Sequence, residues 1–142
     1  MLKTQVIHPI ILEALAAAGH GGKVLIADGD YPVSTTKGIH AQIVYLNLVP
    51  GQMAATEVLD ALQKILPIEK AQVMEVPEGH EKPEIWAIYK EMLKDERESV
   101  EFTSLERFAF YAEVANPDTA LIIQTGEIRD YANLLLTIGS LW

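Results

Sequence analysis

Residues 18–32 read AGHGGKVLIADGDYP, and this stretch decides the fold. Three glycines surround His20, and a short, nearly continuous apolar run, Lys23 to Ala27, then leads to Asp28. Such a run between turn signals is a strand buried on both faces, the kind found inside α/β sheets. Upstream, Pro9 can open a helix that Gly19 closes, placing Ile11, Leu12, Leu15 and Ala18 on a buried face. Downstream, Asp-Gly and Pro32 mark a turn.

The same reading continues along the chain. AQIVYLNL (41–48) is a second strand, with its alternation only partly kept, and TEVLDALQKIL (56–66) an amphipathic helix. KAQVMEV (70–76) is a third strand, and a helix runs from about Pro83 to Asp95. SVEFT (99–103) is a short strand, and SLERFAFYAEV (104–114) a helix opening on Ser104 as its cap. TALIIQTG (119–126) and NLLLTIG (133–139) are the last two strands. Alternating helices and strands predict an α/β class, one three-layer α/β/α domain over residues 1–142 with a mostly buried mixed sheet. In open α/β sheets ligands collect beyond the carboxyl ends of strands. Asp28 and the loop from Gln124 to Glu127 are therefore the places to look.

Composition narrows the function. The 142 residues hold 20 acidic and 11 basic side chains, a net charge of -9, so no basic patch is on offer for nucleic acid or an anionic membrane. There is no cysteine, which removes disulfides, zinc ribbons and thiol nucleophiles and suits a reducing cytoplasm. The N-terminal apolar run contains Glu13 and follows a proline-led start, so a folded helix is expected there and not a signal peptide. No apolar run reaches membrane-spanning length. The run YKEMLKDERESVEF (89–102) mixes both signs and reads as a solvated helix face.

Few residues are left to carry chemistry. His20, in its glycine turn, suits acid–base work near neutrality, or it complements the dipole at a helix C-terminus. Asp28, closing an apolar strand, is either a functional carboxylate or a turn former, and Asp30 reads as turn chemistry. Arg107, beside Phe108, Phe110 and Tyr111, can fork towards a polar ligand or lie exposed on its helix. Tyr131 and Asn133 suit a polyhydroxylated ligand, or a loop satisfying its own backbone. His8, His40 and His80 show no metal-ligand spacing, and no phosphate loop, dinucleotide fingerprint or serine elbow occurs. Proton transfer without a cofactor or metal is what remains.

Three segments resemble the D-ribose pyranase and L-fucose mutarotase family (RbsD/FucU family): HPIILEALAAAGHGGKVLIADGDYP, LNLVPGQMAATEVLDALQKILPIEKAQVMEV and TGEIRDYANLLLTIG. The resemblance covers essentially the whole chain. It implies a cofactor-free isomerase that interconverts anomers of a free monosaccharide, with His20 catalytic and Asp28, Tyr131, Ala132 and Asn133 binding substrate. Arg107, in RFAFY, matches the fucose branch, and the middle of the chain looks closer to the ribose branch. An L-fucose-like sugar is therefore expected. The other readings are a ribose pyranase or a sugar-binding, transport-associated protein without turnover. One departure stands out: the family's aspartate two residues after the histidine is Gly22 here. The resemblance further implies a cytoplasmic homo-oligomer, a decamer with sites between subunits, and the apolar LLLTIGSLW (134–142) is a candidate contact surface.

Overall fold

The computed structural model describes residues 1–95 and 99–142. Helix α1 (Pro9–Ala18) has Pro9 in its first turn and ends at Gly19, whose φ of 68° lies where glycine is favoured. Strand β1 (Lys23–Ala27) follows, then a one-turn helix α2 (Val33–Thr36), β2 (Gln42–Tyr45), α3 (Ala55–Gln63) and β3 (Ile68–Met74). The second half holds α4 (Glu84–Met92) with a 3-10 turn at Leu93–Asp95, β4 (Glu101–Leu105), α5 (Arg107–Val114), β5 (Thr119–Gln124) and β6 (Leu134–Ile138).

Among the described residues six strands form one sheet in the order β2-β5-β1-β6-β3-β4. Every neighbouring pair is parallel except the two that β6 makes, with β1 and with β3. The strand period of two divides the core between the faces. Val24, Ile26, Leu121, Ile123, Leu134 and Leu136 point to the side covered by α1, α3 and α4. Leu25, Ala27, Ile122 and Leu135 point to the side of α2 and α5, against Val33, Phe110 and Val114. The architecture is thus the expected α/β/α sandwich on a mixed sheet. Each fully buried Leu or Ile contributes about 1.5–3 kcal/mol, so the central strands anchor the fold.

Four expectations change. Ser104 lies inside β4, and the cap of α5 is Glu106, whose carboxylate accepts from the backbone N–H groups of Phe108 and Ala109. The strand written as 41–48 shortens to Gln42–Tyr45 because the chain leaves the sheet for the loop that carries Val49 to Met53. The apolar C-terminal run is no contact surface along most of its length: β6 lies between β1 and β3 with all five residues buried. Only Leu141 and Trp142 beyond it are exposed apolar side chains. The charged run 89–102 is only partly a solvated face, since Tyr89 is fully buried, and its residues 96–98 lie outside the described residues.

Candidate active site

The antiparallel β6 explains how distant residues meet. The carboxyl ends of β1, β3, β4 and β5 lie at one end of the sheet, and the amino end of β6 lies with them. Asp28 after β1, Arg107 after β4, Glu127 after β5, and Tyr131 and Asn133 before β6 therefore line one cleft of about 300 Å³. Buried Gln124 clamps the turn after β1, donating from Nε2 to the carbonyls of Asp28, Gly29 and Tyr31.

Asp28 and Asn133 are joined at two points. The Asn133 side chain donates to Asp28 Oδ2 at 2.7 Å and accepts from the Asp28 backbone N–H at 2.9 Å. The other carboxylate oxygen accepts from Asp30 N at 3.1 Å. Burial outweighs these donors and pushes the Asp28 carboxyl up from 3.8 to about 6. A carboxyl poised so near neutrality is suited to proton exchange.

Glu127 behaves in the opposite sense. Arg129 donates to it from Nε at 2.8 Å and from Nη2 at 2.7 Å. Backbone N–H groups of Ala55, Ile128 and Arg129 also point at it. The guanidinium above all, with these amides, holds its carboxyl down at about 2. One buried carboxylate thus ties the start of α3 to the cleft loop and aims Arg129. Sequence reading marked the loop but not this pair, although Glu and Arg two residues apart on a loop after a strand carry a signal for it.

Gly126 allows this loop to dock. A Cβ there would stand 2.0 Å from the Gln52 carbonyl oxygen and 2.7 Å from that of Val49. The loops are instead joined through Gly51 N to Gly126 O at 2.6 Å and Gly126 N to Met53 O at 3.1 Å.

Arg107 opens α5 and has no ion-pair or hydrogen-bond partner among the described residues. Its guanidinium lies 5.6 Å from the ring centre of Tyr111 and 5.8 Å from that of Phe108, so it is steadied by rings and keeps its donors free. Tyr131 takes a left-handed φ of 55°, and its carbonyl accepts from Trp86 Nε1 at 3.0 Å. Ala132 does not line the cleft. Its methyl is buried in the core and its carbonyl accepts from the Tyr89 hydroxyl at 2.7 Å, so its side chain offers a ligand nothing.

His20 is elsewhere. It stands before β1, at the opposite end of the strand from Asp28. The strand alone spans roughly 15 Å at about 3.3 Å per residue, so His20 and Asp28 of one copy cannot both touch one sugar. His20 instead borders a second cleft, of about 520 Å³, with His40, Gln42 and Asp118. Its Nε2 lies 2.9 Å from Glu69 Oε2. His40 Nδ1 lies 3.0 Å from the carbonyl oxygen of Pro117. Among the described residues no group of three or more His, Asp or Glu side chains is placed to hold a metal ion.

Residues 1–141 match the RbsD / FucU transport protein family. The chain belongs to that family. It is 30% identical to the fucose mutarotase of Mus musculus over 96% of this chain and 92% of the relative. Two solved structures share the fold. FucU from Bifidobacterium longum is 33% identical with a TM-score of 0.80, covering 96% of each chain. The fucose mutarotase of Streptococcus pneumoniae, solved in complex with L-fucose, is 26% identical with a TM-score of 0.85 and full coverage of both chains.

Proposed function

We propose that the protein interconverts the anomers of a free monosaccharide, an L-fucose-like sugar first, by acid–base ring opening and reclosure. The observation that carries this reading is the Asp28–Asn133 pair in the cleft, with the Asp28 carboxyl near 6 and Arg107 and Tyr131 beside it. The names of the relatives, fucose mutarotase among them, support the same chemistry. Arg107 in its aromatic setting favours the fucose branch over the ribose branch.

Ring opening takes the proton from the anomeric hydroxyl and delivers one to the ring oxygen, and closure on the other carbonyl face reverses both transfers. Groups that ionise near the working pH do this best, and each correctly placed one contributes roughly 10²–10⁴-fold. Asp28 holds a sugar hydroxyl and Asn133 fixes the carboxylate. Tyr131 and Arg107 hold further hydroxyls. The sugar is uncharged, so one polar cleft suffices to hold it.

His20 supplies the remaining proton carrier from a second copy. The length of β1 supports this placement, since a copy's own His20 is out of reach of its own cleft. A closed ring in which each copy's His20 end meets the next copy's Asp28 end uses one heterologous contact throughout. A decamer is the assembly that the family resemblance implies, and a cytoplasmic location suits a chain without cysteine.

NMR exchange spectroscopy between the anomers of L-fucose, with D-ribose and D-galactose for comparison, tests the reading. Protein-dependent exchange for L-fucose that is abolished by His20→Ala is expected. Saturable binding with no acceleration would replace catalysis by sugar binding.

A further inference from the structure

We propose that Glu69 is the positioning residue of His20, fixing which imidazole nitrogen is free to exchange a proton with the sugar. The inference rests on the catalytic role given to His20 above.

Three observations converge on Glu69. The first is the contact itself, Nε2 to Oε2 at 2.9 Å between residues 49 apart in sequence. The second is a backbone irregularity that aims it. Ile68 pairs with Ile138 and Lys70 with Thr137, so Glu69 is the one extra residue of a β-bulge at the start of β3. A bulge turns a side chain out of its regular strand direction, and here it brings the carboxylate towards the glycine turn. The bulge is held closely: Gly139 N donates to Pro67 O at 2.9 Å, and a Cβ on Gly139 would meet Glu69 Cβ at 3.3 Å. The turn is fixed to the same strand end by Gly21 N to Ile138 O and Ile138 N to Gly22 O, both 2.9 Å.

The third observation concerns Gly22, the position from which a carboxylate two residues after the histidine would have to come. A Cβ there would stand 2.9 Å from Ala18 Cβ and 3.2 Å from the Gly19 carbonyl oxygen, so the local backbone has no room for one. The carboxylate that faces the imidazole arrives from β3 instead.

A carboxylate only accepts, so it selects the tautomer with hydrogen on Nε2 and leaves the Nδ1 lone pair for the sugar. In a lone copy both side chains are substantially exposed, 61% for His20 and 43% for Glu69, and an exposed pair contributes little. Once a second copy's cleft covers His20, water no longer competes and the orientation counts.

The test uses the assembled protein and two readouts. Long-range 15N–1H correlation of the His20 ring, in the neutral imidazole, reports the tautomer directly. Wild type is expected to show an unprotonated Nδ1, and Glu69→Ala a mixture of tautomers. Anomer exchange should fall about ten- to hundredfold in kcat with KM unmoved, on the order of the effect when a metal-binding histidine loses its orienting carboxylate. Glu69→Gln keeps shape without charge and should fall between. An unchanged tautomer and unchanged kcat in Glu69→Ala would overturn the inference. Full activity in His20→Ala would instead overturn the role of His20, and the 15N shifts judge Glu69 independently of that result.

Discussion

Replacing Asp28 with asparagine should destabilise the protein slightly in acid and stabilise it at neutral pH. Burial raises this carboxyl from 3.8 to about 6. The folded state therefore holds its proton more tightly than the unfolded chain does. Stability from this group is fully present below about 3.8 and is lost as pH rises through about 6. A shift of two units amounts to about 3 kcal/mol of stability missing at pH 7.5. The amide of Asp28→Asn would carry no such pH-dependent cost. It would, however, face Asn133 Nδ2 and Asp30 N with one acceptor where the carboxylate has two, a mismatch of about 1–2 kcal/mol. That mismatch is common to all pH values and cancels when the variant is compared with wild type at two of them. Urea unfolding at pH 4 and pH 7.5, at one fixed protein concentration, should give a stability difference that moves by about 2–3 kcal/mol in favour of Asp28→Asn at the higher pH. A difference that does not change between the two would refute the buried, proton-holding Asp28. The variant should also lose anomer exchange, as expected where a site keeps a destabilising group for its chemistry.

Glu127 predicts the opposite pH signature. Its carboxyl sits at about 2 against 4.5 unperturbed, so its stabilisation is present above 4.5 and lost as pH falls towards 2. Glu127→Gln should cost about 2–3 kcal/mol at pH 7 by denaturant unfolding, shrinking in acid. Gly126→Ala should cost at least about 2 kcal/mol in the same assay, because its Cβ would meet the Gln52 and Val49 carbonyl oxygens. Arg107→Ala should cost no more than about 1 kcal/mol of stability, since the guanidinium has only its ring contacts to lose among the described residues, while kcat/KM for L-fucose falls about tenfold or more with the loss of a charged hydrogen bond.

The fold was legible where local chemistry is strong. The apolar run before Asp28, Pro9 and Gly19 at the ends of α1, and the alternation of elements all carry physical signals within a few residues. What sequence did not reveal depends on partners far away. The insertion of β6 between β1 and β3, antiparallel to both, turns an apolar C-terminal run into the centre of the sheet, and nothing inside LLLTI specifies that. Helix α2 has four residues, too short for any periodicity to declare it. At Ser104 the strand continued through a residue with a good capping side chain, and Glu106 took the role two positions later. The site was half legible. Asp28, Arg107, Tyr131 and Asn133 do line one cleft, while Ala132 is buried, and the pairing of Arg129 with Glu127 has only their spacing of two on a loop to signal it. The separation of His20 from Asp28 follows from the length of β1, which fixes that they lie at opposite ends.

The shared site is the central claim, and subunit mixing tests it most directly. His20→Ala and Asp28→Asn are each expected to be inactive alone, one lacking the proton carrier and the other the cleft carboxylate. Unfolding them together and refolding the mixture, then measuring L-fucose anomer exchange, should restore activity. With random assembly around a ring in which each site joins two neighbours, about a quarter of the sites regain both residues. Recovery of about that fraction of wild-type activity would establish a site built from two copies. No recovery from a mixture that demonstrably co-assembles would contradict it.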